Sequence, residues 1–163
     1  MADTLPELIK NGNDVSRWHT FACNRPQNLA GHSWGVAMMI SRLFDGPHAD
    51  QLLLLKCALE HDLAEKHIGD MPRPGRTQAH RDFEVHVAGV IGIRHEESLP
   101  FHLQPWLKWA DLIEAGLYSQ REATLGNGNF TEVLLRVSNY LTEAEEVVPP
   151  PLFQFAREAG LIL

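Results

Sequence analysis

His61 and Asp62 are adjacent metal-ligand types, and Glu65 follows four residues after the histidine. On a helix, positions i and i+4 share a face, which stacks Glu65 beside His61. Asp70 comes nine residues after His61, at the glycine-marked exit of the same segment. The surroundings are apolar: Leu52 to Leu55, Ala58, Leu59 and Leu63. Carboxylates buried among such residues must be paired or coordinated, because desolvating an unpaired charge costs several kcal/mol or more. A cation meets that requirement; the alternative is that these polar residues form the one solvent face of the helix. His32 lies in the string RPQNLAGHSWGVA, close to Leu29, Ala30, Trp34 and Val36. It reads as a partly buried side chain, either a ligand or a hydrogen-bonded core histidine. Asp111 lies between Trp109, Ala110, Leu112 and Ile113 in KWADLIEAG, as a ligand or as a buried aspartate paired to a basic side chain.

The elements that must position these residues are helical. A short helix over Leu5 to Lys10 precedes a loop from Asn11 to Gln27 rich in Asn, Gly, Pro and Arg. Asn28 is placed to cap a helix running to Phe44, with Gly46-Pro47 ending it. A second long helix over Ala49 to His67 is apolar around much of its circumference, which predicts a central position. Gln78 to Arg94 follows, with Phe83, Val87, Val90 and Ile91 at helical spacing. Gln104 to Leu125 has Trp106, Ala110, Ile113 and Leu117 as its inner stripe. Asn129 to Glu146 carries Phe130, Val133, Leu134, Val137, Leu141 and Ala144 on one face, with Asn129 and Glu132 patterned as a capping box. Pro149 to Pro151 ends that helix, and a short terminal helix follows. No segment alternates with period two between turn signals, so the fold class expected is all-α, one domain over residues 1–163.

Composition narrows the function. With 163 residues and 44% hydrophobic content the chain can bury a core without staples. A formal charge of −7 argues against affinity built on neutralising a nucleic-acid backbone. No run is long and apolar enough for a membrane span, and the N-terminal stretch lacks the basic-then-apolar pattern of a signal peptide. Cys23 and Cys57 match neither a zinc pair nor a disulfide framework. A cytoplasmic setting is the expectation. Nine histidines are about twice the usual share, a compositional pointer to metal chemistry.

The ordered set His32, His61-Asp62 and Asp111 resembles the H…HD…D signature of the HD-domain phosphohydrolases. The strings SRWHT (Ser16 to Thr20), RPQNLAGHSWGVA (Arg25 to Ala37) and HDLAEKHIGDMPRPGR (His61 to Arg76) are similar to the bacterial 5′-deoxynucleotidases and phage-encoded dATP triphosphohydrolases of that superfamily. The resemblance implies a helical bundle of about six to seven helices. It also implies a divalent metal held by His32, His61, Asp62 and Asp111. One departure is Gly31, where the family usually has a glutamate before the first metal histidine.

A set of two imidazoles and two carboxylates suits Zn²⁺, Co²⁺, Mn²⁺ or Fe²⁺ with coordination positions left open, and Mg²⁺ is the candidate for a second ion. Such an ion lowers the pKa of bound water toward ~7 and polarises a phosphoryl oxygen. Consistently, there is no GxSxG elbow. Glu65 and Asp70 are the candidate acid–base groups, a role the resemblance supports for both positions. Arg17 offers phosphate oxygens a guanidinium, and Trp18 offers sugar or base an aromatic surface. The alternative for that pair is a surface arginine beside a core tryptophan. The resemblance places the pair, with His19, Thr20 and Arg76, at the substrate and makes Trp18 a sensor of the missing 2′-hydroxyl. Arg25, Lys66 and Arg73 are further candidates for positive charge near a polyphosphate, or simply solvated. The reaction expected is dATP to deoxyadenosine plus triphosphate. The alternatives are a 5′-deoxynucleotidase acting on monophosphates and a non-catalytic nucleotide sensor. The partners expected are a small deoxynucleotide and, by resemblance, further copies of the chain as a dimer or hexamer, with no nucleic acid or membrane.

Overall fold

The computed structural model describes residues 2–69 and 77–162. Asp70, Arg73 and Arg76 lie outside the described residues. In chain order the helices are α1 (Leu5–Asp14), α2 (Leu29–Leu43), α3 (His48–Glu60), α4 (Glu65–Ile68), α5 (Gln78–Ile91), α6 (Gln104–Thr124), α7 (Gly128–Glu143) and α8 (Pro150–Glu158), with a 3-10 turn over Glu96–Ser98. Among the described residues, seven α-helices have nine residues or more, as the pattern predicts. The one extended pairing among them is an isolated bridge between Ser16 and Asn28. It is extended by the amides of Arg17 and Leu29, which donate to Gln27 (2.9 Å) and Val15 (3.1 Å) and close the base of the 17–27 loop. Among the described residues, no helix is long and apolar enough to cross a membrane.

The axis of the bundle is α6, not the helix expected. It packs against α2, α3, α7 and α8 and contributes Leu107, Ala110 and Ile113 to a core completed by Val36 and Ile40 of α2, Leu54 and Ala58 of α3, Leu141 of α7 and Leu152 of α8. The apolar circumference of α3 misled the sequence reading, because Leu52 and Leu59 are 54% and 53% exposed. That helix buries only one edge, Leu54, Cys57 and Ala58. A smaller cluster of Leu63, Ala64, Ala88, Ile91 and Ile93, with Leu8 and Val87 against it, joins α1 and α5 to the segment that carries His61 and Asp62.

Several boundaries differ from the sequence reading, each for a local reason. α1 continues through Asn11-Gly12-Asn13 because Gly12 is buried where a Cβ would stand 3.5 Å from Leu63 and 3.7 Å from Ala30; packing outweighs poor helix propensity. α3 stops at Glu60, and residues 61–64 form turns with i→i+3 bonds, Leu63 to Glu60 (3.0 Å) and Glu65 to Asp62 (2.9 Å), before α4. α5 ends at Ile91 because Gly92 is left-handed (φ 80°). Its buried face is Glu84, Ala88 and Ile91, while Phe83 and Val90 are exposed. The N-cap of α7 is Asn127 rather than Asn129, and the Asn127 side chain bonds Ala22 and Glu122 instead of its own helix. α2 starts as expected, with Asn28 Oδ1 accepting from the Gly31 amide at 2.9 Å.

Candidate metal centre

The first turn of α2, the turn after α3 and the middle of α6 converge on one point. His32 is fully buried, although its neighbour Trp34 is 65% exposed. Its Nε2 lies 3.1 Å from Oδ1 of Asp111 and 3.5 Å from Oδ2 of Asp62, and Nε2 of His61 lies 3.4 Å from Oδ1 of Asp62. One ligand atom from each of the four residues falls within 4.8 Å of all the others. His61 and Asp62 are buried, so the solvent-face alternative for them is excluded.

Both imidazoles present the same nitrogen to this point, and the reason is on their far sides. His61 Nδ1 donates to the Ala58 carbonyl at 2.9 Å, an oxygen that can only accept. His32 Nδ1 donates to the Glu114 carboxylate at 2.5 Å. Each Nε2 therefore faces the carboxylates, yet neither makes a well-directed hydrogen bond among the described residues. Two buried nitrogens so placed beside two carboxylates form the donor set that a divalent cation satisfies. Burial and the Arg17 charge push His32 downward, but Asp111 and Glu114 outweigh them and hold its imidazole at about 9. Burial would raise Asp111; the close approach and charge of His32, with Arg17 and His61, hold it well below the carboxylate range. Asp62 is likewise held down, against burial, by His61, Arg17 and His32. The carboxylates are charged for binding a cation, and His32 would give up a proton to one.

Arg17 Nη1 pairs with Asp62 Oδ2 at the edge of this set. That partner, 45 positions away, rules out a plain surface arginine. Trp18 has a left-handed backbone (φ 59°), uncommon for a bulky residue and held only where the surroundings over-determine it. Its indole stacks on Tyr118 at 5.6 Å and 9° and meets Phe130 edge-on at 5.3 Å. Nε1 donates to Gln27 Oε1 at 3.1 Å. His19 and Thr20 follow as exposed residues. The far limb of the loop is held to α6: the Tyr118 hydroxyl donates to the Arg25 carbonyl (2.8 Å), and Glu122 accepts from the amides of Asn24 (2.7 Å) and Arg25 (2.9 Å).

Glu65 is buried in a neighbouring acidic group, one oxygen each from Asp62, Glu65 and Glu84 lying within 4.8 Å of one another. The tightened turn sets Glu65 beside Asp62. Lys66 faces Asp14 at 3.9 Å, and His67 faces Asp3 at 3.6 Å. The sequence reading missed Glu84, Glu114, Tyr118, Glu122 and Gln27. A signal existed for those on α6: positions 111, 114, 118 and 122 form one polar stripe along that helix. Gly31, at the expected glutamate, lines a hollow of about 440 Å³ with Trp34, Gly35 and Glu114.

A family model described as an HD domain matches residues 11–88, a stretch that includes His32, His61, Asp62, Glu65 and Glu84. The dATP triphosphohydrolase of cyanophage S-2L is 28% identical over 111 residues. That alignment takes in 64% of this chain and spans 63% of the length of that relative. The structure of the cyanophage S-2L HD phosphohydrolase DatZ, bound to dA and one catalytic Zn²⁺ ion, is similar with a TM-score of 0.72 at 22% identity, covering 98% of this chain and 99% of the other. An HD-domain phosphohydrolase from Listeria innocua gives 0.66 at 18% identity, covering 94% and 83%. At these identities the structural likeness is one of fold.

Proposed function

We propose that this chain is an HD-domain phosphohydrolase, a reading supported by the HD-domain model that matches residues 11–88, and that it is a metal-dependent enzyme hydrolysing a deoxynucleoside triphosphate, dATP, to deoxyadenosine and triphosphate. One observation carries the reading: two buried imidazole nitrogens and two ionised carboxylates meet at a point edged by an arginine. The choice of dATP over a monophosphate is supported by the likeness to the cyanophage enzyme of that activity.

His32, His61, Asp62 and Asp111 would hold the ion, Zn²⁺, Co²⁺ or Mn²⁺, with Mg²⁺ as a second ion where one is used. When bound, it supplies an activated water at neutral pH and a Lewis acid for the phosphoryl oxygen. Arg17 leaves its ion pair with Asp62 to take up phosphate oxygens of the substrate, a charge-assisted exchange between two anionic partners. Trp18, fixed through Gln27 and Tyr118, offers its ring to the sugar and senses the absent 2′-hydroxyl. His19 and Thr20 extend that wall. Attack occurs at the α-phosphorus; the bond to the 5′-oxygen breaks, the nucleoside oxygen takes a proton, and triphosphate is released. Glu65 handles that proton, with Asp70 as the other acid–base group and Arg76 as a further phosphate contact. The net charge of −7 fits a small anionic substrate met by a local arginine rather than a nucleic-acid backbone. We place the enzyme in the cytoplasm as a homo-oligomer, dimer or hexamer, which light scattering on the purified chain tests.

The deciding experiment is a product assay. The protein, supplied with Co²⁺, Mn²⁺ or Zn²⁺, is offered each dNTP and each dNMP, and the nucleoside, phosphate and triphosphate are resolved by chromatography. Triphosphate release from dATP supports the proposal. Turnover of monophosphates alone replaces it with a 5′-deoxynucleotidase, and no turnover with any metal makes the chain a nucleotide sensor.

A further inference from the structure

Behind the candidate metal ligands lies a hydrogen-bond chain whose direction is chemically fixed. An indole N–H can only donate, so Trp18 Nε1, 3.1 Å from Gln27, forces the Gln27 amide to turn its oxygen toward the ring. That leaves the Gln27 NH₂ facing Glu114, where it donates to Oε1 at 2.7 Å. The other carboxylate oxygen, Oε2, accepts from His32 Nδ1 at 2.5 Å. Two donors thus converge on Glu114, and only a residue with two acceptor oxygens serves both. The consequence at the far end is that the proton on His32 Nδ1 is fixed, and Nε2, which faces Asp62 and Asp111, is the nitrogen left to bind a cation once it gives up its own proton. Behind His61, among the described residues, Nδ1 meets the Ala58 carbonyl instead.

We propose that Glu114 and Gln27 are positioning residues, which fix the tautomer and orientation of His32 for metal binding and tie that ligand to the Trp18 loop. The proposal rests on the reading of His32, His61, Asp62 and Asp111 as a metal centre. Outer partners of a metal-bound histidine raise its basicity and hold its ring, and their loss typically weakens metal binding about 10–100-fold. Gly35 belongs to the same device. A Cβ at that position would lie 2.8 Å from Glu114 Cγ and 3.3 Å from its Oε1, so the absence of a side chain on α2 is what lets Glu114 reach His32.

The test is metal affinity, measured by competition titration of the metal-stripped full chain with Co²⁺ and Zn²⁺, alongside apo thermal stability. In Glu114→Gln one of the two facing donors loses its acceptor, and affinity falls about 10–100-fold while the fold is retained. Gly35→Ala touches no ligand and has the better helix propensity, yet it displaces Glu114 and weakens metal binding in the same range. Trp18→Phe removes the donor that orients Gln27, so the Gln27 amide is free to flip and accept from the side-chain NH₂ that Glu114→Gln introduces. The Glu114→Gln deficit then shrinks to below about fivefold in that background, a non-additivity expected of coupled neighbours. Wild-type protein that binds neither metal overturns the metal centre and the relay together. Wild-type binding that Glu114→Gln and Gly35→Ala leave unchanged within about twofold keeps the centre and overturns the relay.

Discussion

Glu122 is a fully buried carboxylate near the C-terminal end of α6, where the helix dipole disfavours a negative charge by about 0.3–1 kcal/mol. Burial alone would raise its pKa, but the Asn24 and Arg25 amides and the Asn127 amide group hold it below the ordinary value of 4.5. Those three donors stand at 2.7, 2.9 and 3.1 Å. Hydrogen bonds to a charged group contribute about 1.5–3 kcal/mol each. Asn24 and Arg25 are themselves exposed, so water recovers part of what truncation removes, and Glu122→Ala should cost about 3 kcal/mol in all. For a chain of this size that is a fall in Tm of about 6–12 °C, read by far-UV circular dichroism at pH 7. The loop that presents Arg17 and Trp18 loosens with it, raising KM more than it lowers kcat. The pH dependence has a definite sign. The folded pKa lies below the unfolded one, so the native state binds fewer protons; the contribution is full above about 4.5 and is lost as pH falls through the folded value. Glu122→Gln should lack that acid-sensitive component. A Glu122→Ala Tm within about 2 °C of wild type, or an unchanged acid limb in Glu122→Gln, would refute the reasoning.

Further expectations concern the bundle and the centre. Leu54→Ala, in the buried edge of α3, should destabilise by about 2–5 kcal/mol, whereas Leu59→Ala on its exposed side should stay within about 0.5 kcal/mol; equal losses in chemical denaturation would return α3 to a central position. Zn²⁺ at about a hundred times its Kd should add about 2.7 kcal/mol, raising Tm by about 5–11 °C, and a chelator should reverse the rise; a melt insensitive to both would argue against the metal centre. Glu65→Ala should lower turnover about 10²–10⁴-fold while metal content stays at the wild-type level, as followed by product chromatography and elemental analysis; unaltered turnover would remove Glu65 from the chemistry.

Sequence periodicity was sufficient for the helices whose neighbours agree with their local preference. The Asn28 cap, the run of α6 and a short terminal helix at the Pro149–Pro151 run were legible because each is decided within a few residues, although those prolines open α8 rather than end α7. It failed where packing decides. Gly12 reads as a helix breaker, yet α1 runs through it because its bare backbone lies against Ala30 and Leu63. Leucines around α3 suggest a buried helix, but which face is covered depends on where α2 and α6 lie. The candidate ligands were nameable from residue type and resemblance, since imidazole and carboxylate chemistry belongs to the side chain wherever it sits. That His32, His61, Asp62 and Asp111 come within 4.8 Å of one another was decided only by the tertiary structure, which brings positions up to 79 residues apart onto one point. The polar stripe of α6 marks Glu114 and Glu122 in the sequence, but what each does, like the part played by Gln27, was decided in the same way. A glutamate's role is set by the donor that folding places against it.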